Sequence, residues 1–131
     1  MVMLDTDFIV AVLRGEKNAI ARMHAFKMAR QHLCMSTVTV FELLRGVQRG
    51  KNPQKDRETY AQAIGEIYPI DFTYIEADLA AYIDAHLAKN GAPIGVPDTL
   101  IAATALSIRH PIVTRNAKHF EKIPGLHVET W

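Results

Sequence analysis

The sequence predicts an α/β fold, a mainly parallel sheet with helices on both faces, and three observations carry that prediction. Short apolar runs (Met1 to Leu4, Leu33 to Met35, Ile112 to Val113) end in polar turn chemistry, Asp5-Thr6-Asp7, Ser36-Thr37 and Thr114-Arg115 respectively. Such runs suit strands buried on both faces. Longer segments between them carry apolar residues near helical spacing. Strand and helix signals alternate, as they do when parallel strands are joined by helical crossovers.

Taken in order, the first run places Asp5 at the carboxyl end of a central strand, where open α/β sheets bind their ligands. Thr6 or Asp7 is expected to cap a helix reaching about Arg14. After the break at Gly15-Glu16-Lys17-Asn18, a second helix runs to about Arg30, with Ile20, Met23, Ala25, Phe26 and Met28 as its apolar positions. The strand at Leu33-Cys34-Met35 leads into a helix from Val38 to Gln48, where Val40, Phe41, Leu43, Leu44 and Val47 fit one face. Arg49 to Pro53 reads as a loop, residues 54–66 as a polar helix, and Ile67 to Phe72 as a strand that Pro69 pushes toward an edge. Thr73 opens a helix to about Ala88, expected to bury Ile75, Leu79, Tyr82, Ile83 and Leu87. A loop at Lys89 to Val96 precedes Pro97, which fits a first helical turn because its missing N–H costs nothing there. The helix from Asp98 to about Ile108 is apolar nearly all round and should lie deep in the core. Arg109-His110-Pro111 stops it, Ile112-Val113-Thr114 is a strand, Arg115 to Phe120 a polar turn or short helix, and Leu126 to Glu129 the last strand.

At 131 residues, 49% of them hydrophobic, the chain is expected to form one domain over 1–131 that needs neither disulfide nor metal merely to fold. Its single cysteine, Cys34, has no intrachain partner and reads as a buried structural thiol, which suits a reducing compartment. No apolar run approaches the roughly 18 residues that span a bilayer, and the opening residues lack signal-peptide features, so a soluble, cytoplasmic protein is expected. The net charge of +1 conceals an asymmetry: residues 1–57 hold ten Lys/Arg against five acids, and residues 58–131 hold five against nine. That pattern accommodates an anionic partner on one side of the fold, and solvated helix faces explain it equally well.

Three acids adjoin segments that should be buried. Asp5 follows the first strand, Glu42 sits within Val38-Thr39-Val40-Phe41-Glu42-Leu43-Leu44, and Asp98 opens the most apolar helix. Singly, each has a structural explanation: a helix cap, an outward-facing side chain, a partner for a helix dipole. Together they offer the oxygen donors that Mg²⁺ or Mn²⁺ prefers, and a divalent cation relieves the repulsion of close carboxylates.

Leu4-Asp5-Thr6-Asp7, Ser36 to Gly46, Pro97-Asp98-Thr99-Leu100-Ile101-Ala102-Ala103 and Val113 to Phe120, with the closing Val128-Glu129-Thr130-Trp131, resemble in order the motifs of the PIN domain family. Length and ending are most similar to the VapC toxins of bacterial toxin–antitoxin pairs. The resemblance implies a three-layer α/β/α sandwich and a metal-dependent endoribonuclease whose Mg²⁺ or Mn²⁺ is held by Asp5, Glu42 and Asp98. It also implies RNA as substrate, transfer RNA included, a cognate VapB-like antitoxin as inhibitor, and a homodimer. The chain departs from the family pattern twice. Asp7 stands where Asn is common, and Asn116 and His119 occupy the segment that often supplies a fourth acid, so the site is expected to hold one metal more firmly than two. Thr6 and Thr114 are placed to hydrogen-bond a carboxylate or phosphate, and Arg14, Arg45, Arg49 and Lys51 are candidates for an RNA-backbone track.

Two other readings stay open. Asp5-Thr6-Asp7 resembles the DxD opening of aspartyl-phosphate phosphatases, which also need a downstream lysine and a later acidic pair. A catalytically degenerate PIN-like module acting through protein contacts is the non-enzymatic alternative.

Overall fold

The computed structural model describes all residues from Met1 to Trp131. Five strands form one sheet in the order β3-β2-β1-β4-β5, every pairing parallel. The strands are β1 (Val2–Leu4), β2 (Leu33–Ser36), β3 (Tyr68–Ile70), β4 (Ile112–Val113) and β5 (Val128–Glu129). β1 is central and fully buried, and register pairs Met3 with both Cys34 and Ile112. The strand carrying Pro69 is an edge, where a residue without an N–H does no harm.

Seven helices cover the sheet, giving the three-layer α/β/α arrangement: α1 (Thr6–Leu13), α2 (Lys17–Met28), α3 (Thr37–Arg49), α4 (Pro53–Ile64), α5 (Tyr74–Lys89), α6 (Val96–Ser107) and α7 (Ala117–Phe120). One core joins Val2, Leu4, Leu33 and Met35 to Phe8 and Ile9 of α1, Met23 and Phe26 of α2 and Leu43 of α3. The other joins Met3, Cys34 and Ile112 to Ala80, Ile83 and Leu87 of α5 and to the small-residue face of α6. The alternation of Val2, Met3 and Leu4 between the two cores follows from the two-residue period of a strand. In α6, Thr99 and the whole run Ile101 to Ala105 are buried, as its all-round apolarity predicts. The Cys34 thiol is buried against the Val2 carbonyl, and burial raises its pKa to about 11, so it is a packing residue and not a reactive thiolate.

The structure corrects three expectations. The cap of α1 is neither Thr6 nor Asp7 but Asp5, whose backbone is still extended (φ −71°, ψ 157°) while its carboxylate accepts the Thr6 N–H at 2.8 Å. Ile75 and Tyr82 lie on the solvent side of α5, 69% and 62% exposed, because Ala80 and the folded-back Glu76 take the core-facing positions. Ile20 and Met28 of α2 and Phe41 of α3 are likewise exposed, while α2 buries the expected Met23 and Phe26 together with Ala19.

Glu76 shows how α5 starts. Its carboxylate accepts the Thr73 N–H at 2.9 Å and the Thr73 hydroxyl, as in a capping box, and the hydroxyl bond holds its pKa down at about 2. Glu76→Ala is expected to lower stability by about 1 kcal/mol in urea unfolding at neutral pH without changing the slope of the transition. A variant as stable as the parent would show that the cap contributes nothing.

Candidate active site

The carboxyl ends of β1 and β4 place the first group of residues. Asp5 N–H donates to the Val113 carbonyl at 3.0 Å and Thr114 N–H to the Glu129 carbonyl at 3.0 Å, so the ladder fixes both backbones. The Asp5 side chain is then held at both oxygens: Oδ1 by Thr6 N–H and Oδ2 by the Thr114 hydroxyl, each at 2.8 Å. Thr114 is fully buried, and its Oγ1 also accepts the Asn116 N–H at 3.0 Å, which shapes the turn after β4.

Two more acids come from helices, Glu42 from the middle of α3 and Asp98 from the first turn of α6. Thr6, in the first turn of α1, donates its hydroxyl to Glu42 Oε1 at 2.7 Å and lies 3.1 Å from the buried Thr39 hydroxyl. This tether turns Glu42 of α3 inward, and no hydrogen bond within the chain occupies its Oε2. Asp98 sits in the first turn of α6, where the exposed N–H ends of the helix favour a negative charge. Its Oδ2 lies 3.0 Å from His119 Nδ1, so His119 partners an acid rather than replacing one. Asp7 accepts the Arg115 N–H at 3.1 Å and lies 3.4 Å from the Thr114 hydroxyl.

Asp5, Thr6, Asp7, Glu42, Asp98 and Asn116 thus line one cleft of about 330 Å³, together with Arg14. Asp5 is the buried member at 2% exposed. Burial first, and then the charge of Asp7, raise its pKa to about 8; Thr114 opposes the rise and the charge of Asp98 adds to it. Burial also raises Asp7, against the Arg115 N–H that favours its anion. A buried carboxylate among like charges requires a proton or a cation to neutralise it.

An all-oxygen donor set of this kind suits Mg²⁺ or Mn²⁺ and no softer metal. No three Asp, Glu, His or Cys side chains converge closely enough to hold an ion by themselves. The cleft therefore fits a hydrated ion of the Mg²⁺ kind, for which Asp5, Glu42 and Asp98 would supply carboxylate oxygens directly or through water.

The model of the PIN domain matches residues 2–126. The chain belongs to the PIN domain family. Among its relatives is the tRNA(fMet)-specific endonuclease VapC of Salmonella typhimurium, 30% identical over 129 residues that cover 98% of this chain and 96% of the relative. Ribonuclease VapC of Rickettsia bellii is 33% identical over 130 residues, covering 97% and 93%. In three dimensions the chain superposes with a TM-score of 0.91 on a chain of VapBC2 from Rickettsia felis bound to a promoter DNA fragment, at 25% identity and covering 100% and 99%. DNA-bound VapBC from Salmonella typhimurium gives 0.88 at 29% identity, covering 99% and 97%.

Of the cations singled out in the sequence, only Arg14 lines the cleft, and it also borders the adjoining groove between α1, α3 and α4. Arg45, Arg49 and Lys51 lie outside it: Arg45 is exposed with its guanidinium 5.4 Å from the Phe41 ring, and Arg49 and Lys51 are solvated at the end of α3. Two charged residues of the cleft, Glu16 and Arg115, are not among the candidates the sequence offers. No local signal marks either one: the strand-end argument that selects Asp5 selects Thr114 after β4, and Arg115 lies one residue beyond it.

Proposed function

We propose that the chain is a Mg²⁺- or Mn²⁺-dependent endoribonuclease, the toxin of a VapBC-type toxin–antitoxin pair. The observation that carries this reading is Asp5, buried at the end of the central strand with Glu42 and Asp98 opening onto the same cleft, in a chain matched by VapC ribonucleases over nearly its whole length. Transfer RNA is the first substrate to try, since one such relative is named for it. The partners that go with this reading are a VapB-like antitoxin and a second copy of the chain, and the reading places the protein in the cytoplasm. No helix is long and apolar enough to cross a membrane.

Asp5, Glu42 and Asp98 would hold the ion, with Asp7 adding negative charge beside them. When bound, the ion lowers the pKa of a water and offsets charge developing on the phosphate. The protein's own part is positional. Thr6 and Thr114 fix Asp5 at both oxygens, and Thr6 turns Glu42 so that its free oxygen faces the cleft. Asn116, at the rim, presents an amide to the same space. Attack by water needs no 2′-hydroxyl, so hydrolysis leaves no 2′,3′-cyclic phosphate.

The purified chain is expected to cut transfer RNA internally with Mg²⁺ or Mn²⁺, to stop on EDTA, and to leave a small phosphate monoester intact. Hydrolysis of the monoester would favour the aspartyl-phosphatase reading, which already lacks its lysine: the cations lining the cleft are Arg14 and Arg115. An intact RNA with either metal would favour a non-enzymatic interaction module.

A further inference from the structure

Arg115 is the cleft cation whose surroundings are most elaborately built. Its backbone N–H holds Asp7, its guanidinium pairs with Glu16, and the guanidinium carbon lies 4.9 Å from the Trp131 ring centre. Trp131 in turn packs edge-on against the buried Phe8, ring centres 4.8 Å apart, so the aromatic pad is anchored in the core beneath α1. Glu16 is placed as deliberately. Gly15, in the left-handed region at φ 77°, closes α1, and the Glu16 N–H bonds back to the Ala11 carbonyl at 3.0 Å. Acid and arginine, 99 positions apart, thereby meet on the cleft wall.

We infer that Arg115 is the substrate-phosphate clamp of the cleft, and that Glu16 holds it in the RNA-free state and gives it up to the incoming backbone. Both side chains remain substantially exposed, 52% and 39%, so their pair is of the solvent-screened kind that contributes little and exchanges readily. A guanidinium matches a phosphate through two parallel hydrogen bonds, and a phosphate is a stronger partner for it than a hydrated carboxylate. The Trp131 face keeps the planar group oriented through the exchange. Lying between an acidic floor and the RNA chain, a cation here also offsets repulsion that Asp7 and Asp98 impose on the phosphates. This inference rests on the ribonuclease reading for the identity of the anion and extends it to a specific residue.

The test is equilibrium binding of a fluorescein-labelled single-stranded RNA, followed by anisotropy with Ca²⁺ replacing Mg²⁺ and the RNA checked to be intact. Arg115→Gln is expected to weaken binding about tenfold. It should also reduce the slope of log affinity against log salt by about 0.7, the share of one phosphate contact on a single strand, and Arg115→Lys should restore most of that slope. Glu16→Gln, which frees the arginine, should tighten binding by about two- to fivefold. An unchanged slope in Arg115→Gln, no gain in Glu16→Gln, or no RNA binding by the parent chain each overturns the inference. Arg115-dependent binding by a parent chain that then fails to cut RNA with Mg²⁺ or Mn²⁺ would keep the clamp and sink the nuclease.

Discussion

Asp5→Asn is expected to abolish RNA cleavage, lowering kcat/KM by on the order of a thousandfold, while leaving the fold intact. Asparagine is the informative choice because it keeps the local hydrogen bonds. Its amide oxygen can still accept the Thr6 N–H at the start of α1, and the Thr114 hydroxyl, now facing an NH₂ group, can turn and accept. Asp5→Ala would also lose activity, but it leaves a buried hydroxyl and a helix N–H without partners, which costs about 1–3 kcal/mol for each group and confuses fold with chemistry. What Asn removes is the negative charge alone. If the Asn variant cuts RNA within threefold of the parent rate at saturating metal, Asp5 is only a helix cap and the proposed mechanism is wrong. Near-UV circular dichroism identical to that of the parent is the companion observation.

The sequence exposes Asp5, Glu42 and Asp98 for a common reason: each is a charged residue set directly against a run of apolar ones. Asp5 ends a strand that has no polar face, Glu42 interrupts an apolar stripe, and Asp98 enters a helix with scarcely a polar side. Conflicts of that kind between local pattern and residue type mark functional sites. Where the pattern is permissive, the reading fails. α5 carries alanine on several faces, so the stripe through Ile75 and Tyr82 looks as buriable as the true one through Ala80, Ile83 and Leu87. The size of a side chain then misleads, because α5 packs against the alanines of α6 through Ala80 as well as through Ile83 and Leu87. Arg115 and Glu16 were illegible for another reason. Nothing local distinguishes them from solvated charges, and only the pairing of β1 with β4 brings the end of α1 next to the turn after β4. Arg45, Arg49 and Lys51 show the converse: a run of positive charge in sequence marks a helix end in solvent and not the cleft.

The burial of Asp5 also sets an unusual pH dependence. Its pKa lies near 8 in the folded chain against an ordinary 3.8, so between those values the folded state binds a proton that the unfolded state has released. Stability must therefore fall as pH rises across that window, at up to about 1.4 kcal/mol per pH unit for one group, and level off above the folded pKa. Asp7, also raised, acts in the same direction. Glu76 acts oppositely but elsewhere: with its pKa lowered from 4.5 to about 2, its contribution is complete above 4.5 and is lost only in acid. The metal-free protein is thus expected to be most stable near pH 4 to 5, lower than the usual optimum between about 5 and 8. Thermal unfolding in EDTA should show Tm dropping by several degrees from pH 5 to pH 8, and Asp5→Asn should flatten most of that drop. Mg²⁺ or Mn²⁺ binds the ionised carboxylate, so adding it at pH 8 should raise Tm and release protons, detectable as a calorimetric heat that scales with the ionisation enthalpy of the buffer. A parent chain whose metal-free stability rises steadily from pH 5 to pH 8 would show that Asp5 is already ionised in the fold. Its buried charge would then be balanced by Thr6 and Thr114 alone, and the cleft would have no electrostatic need of a cation.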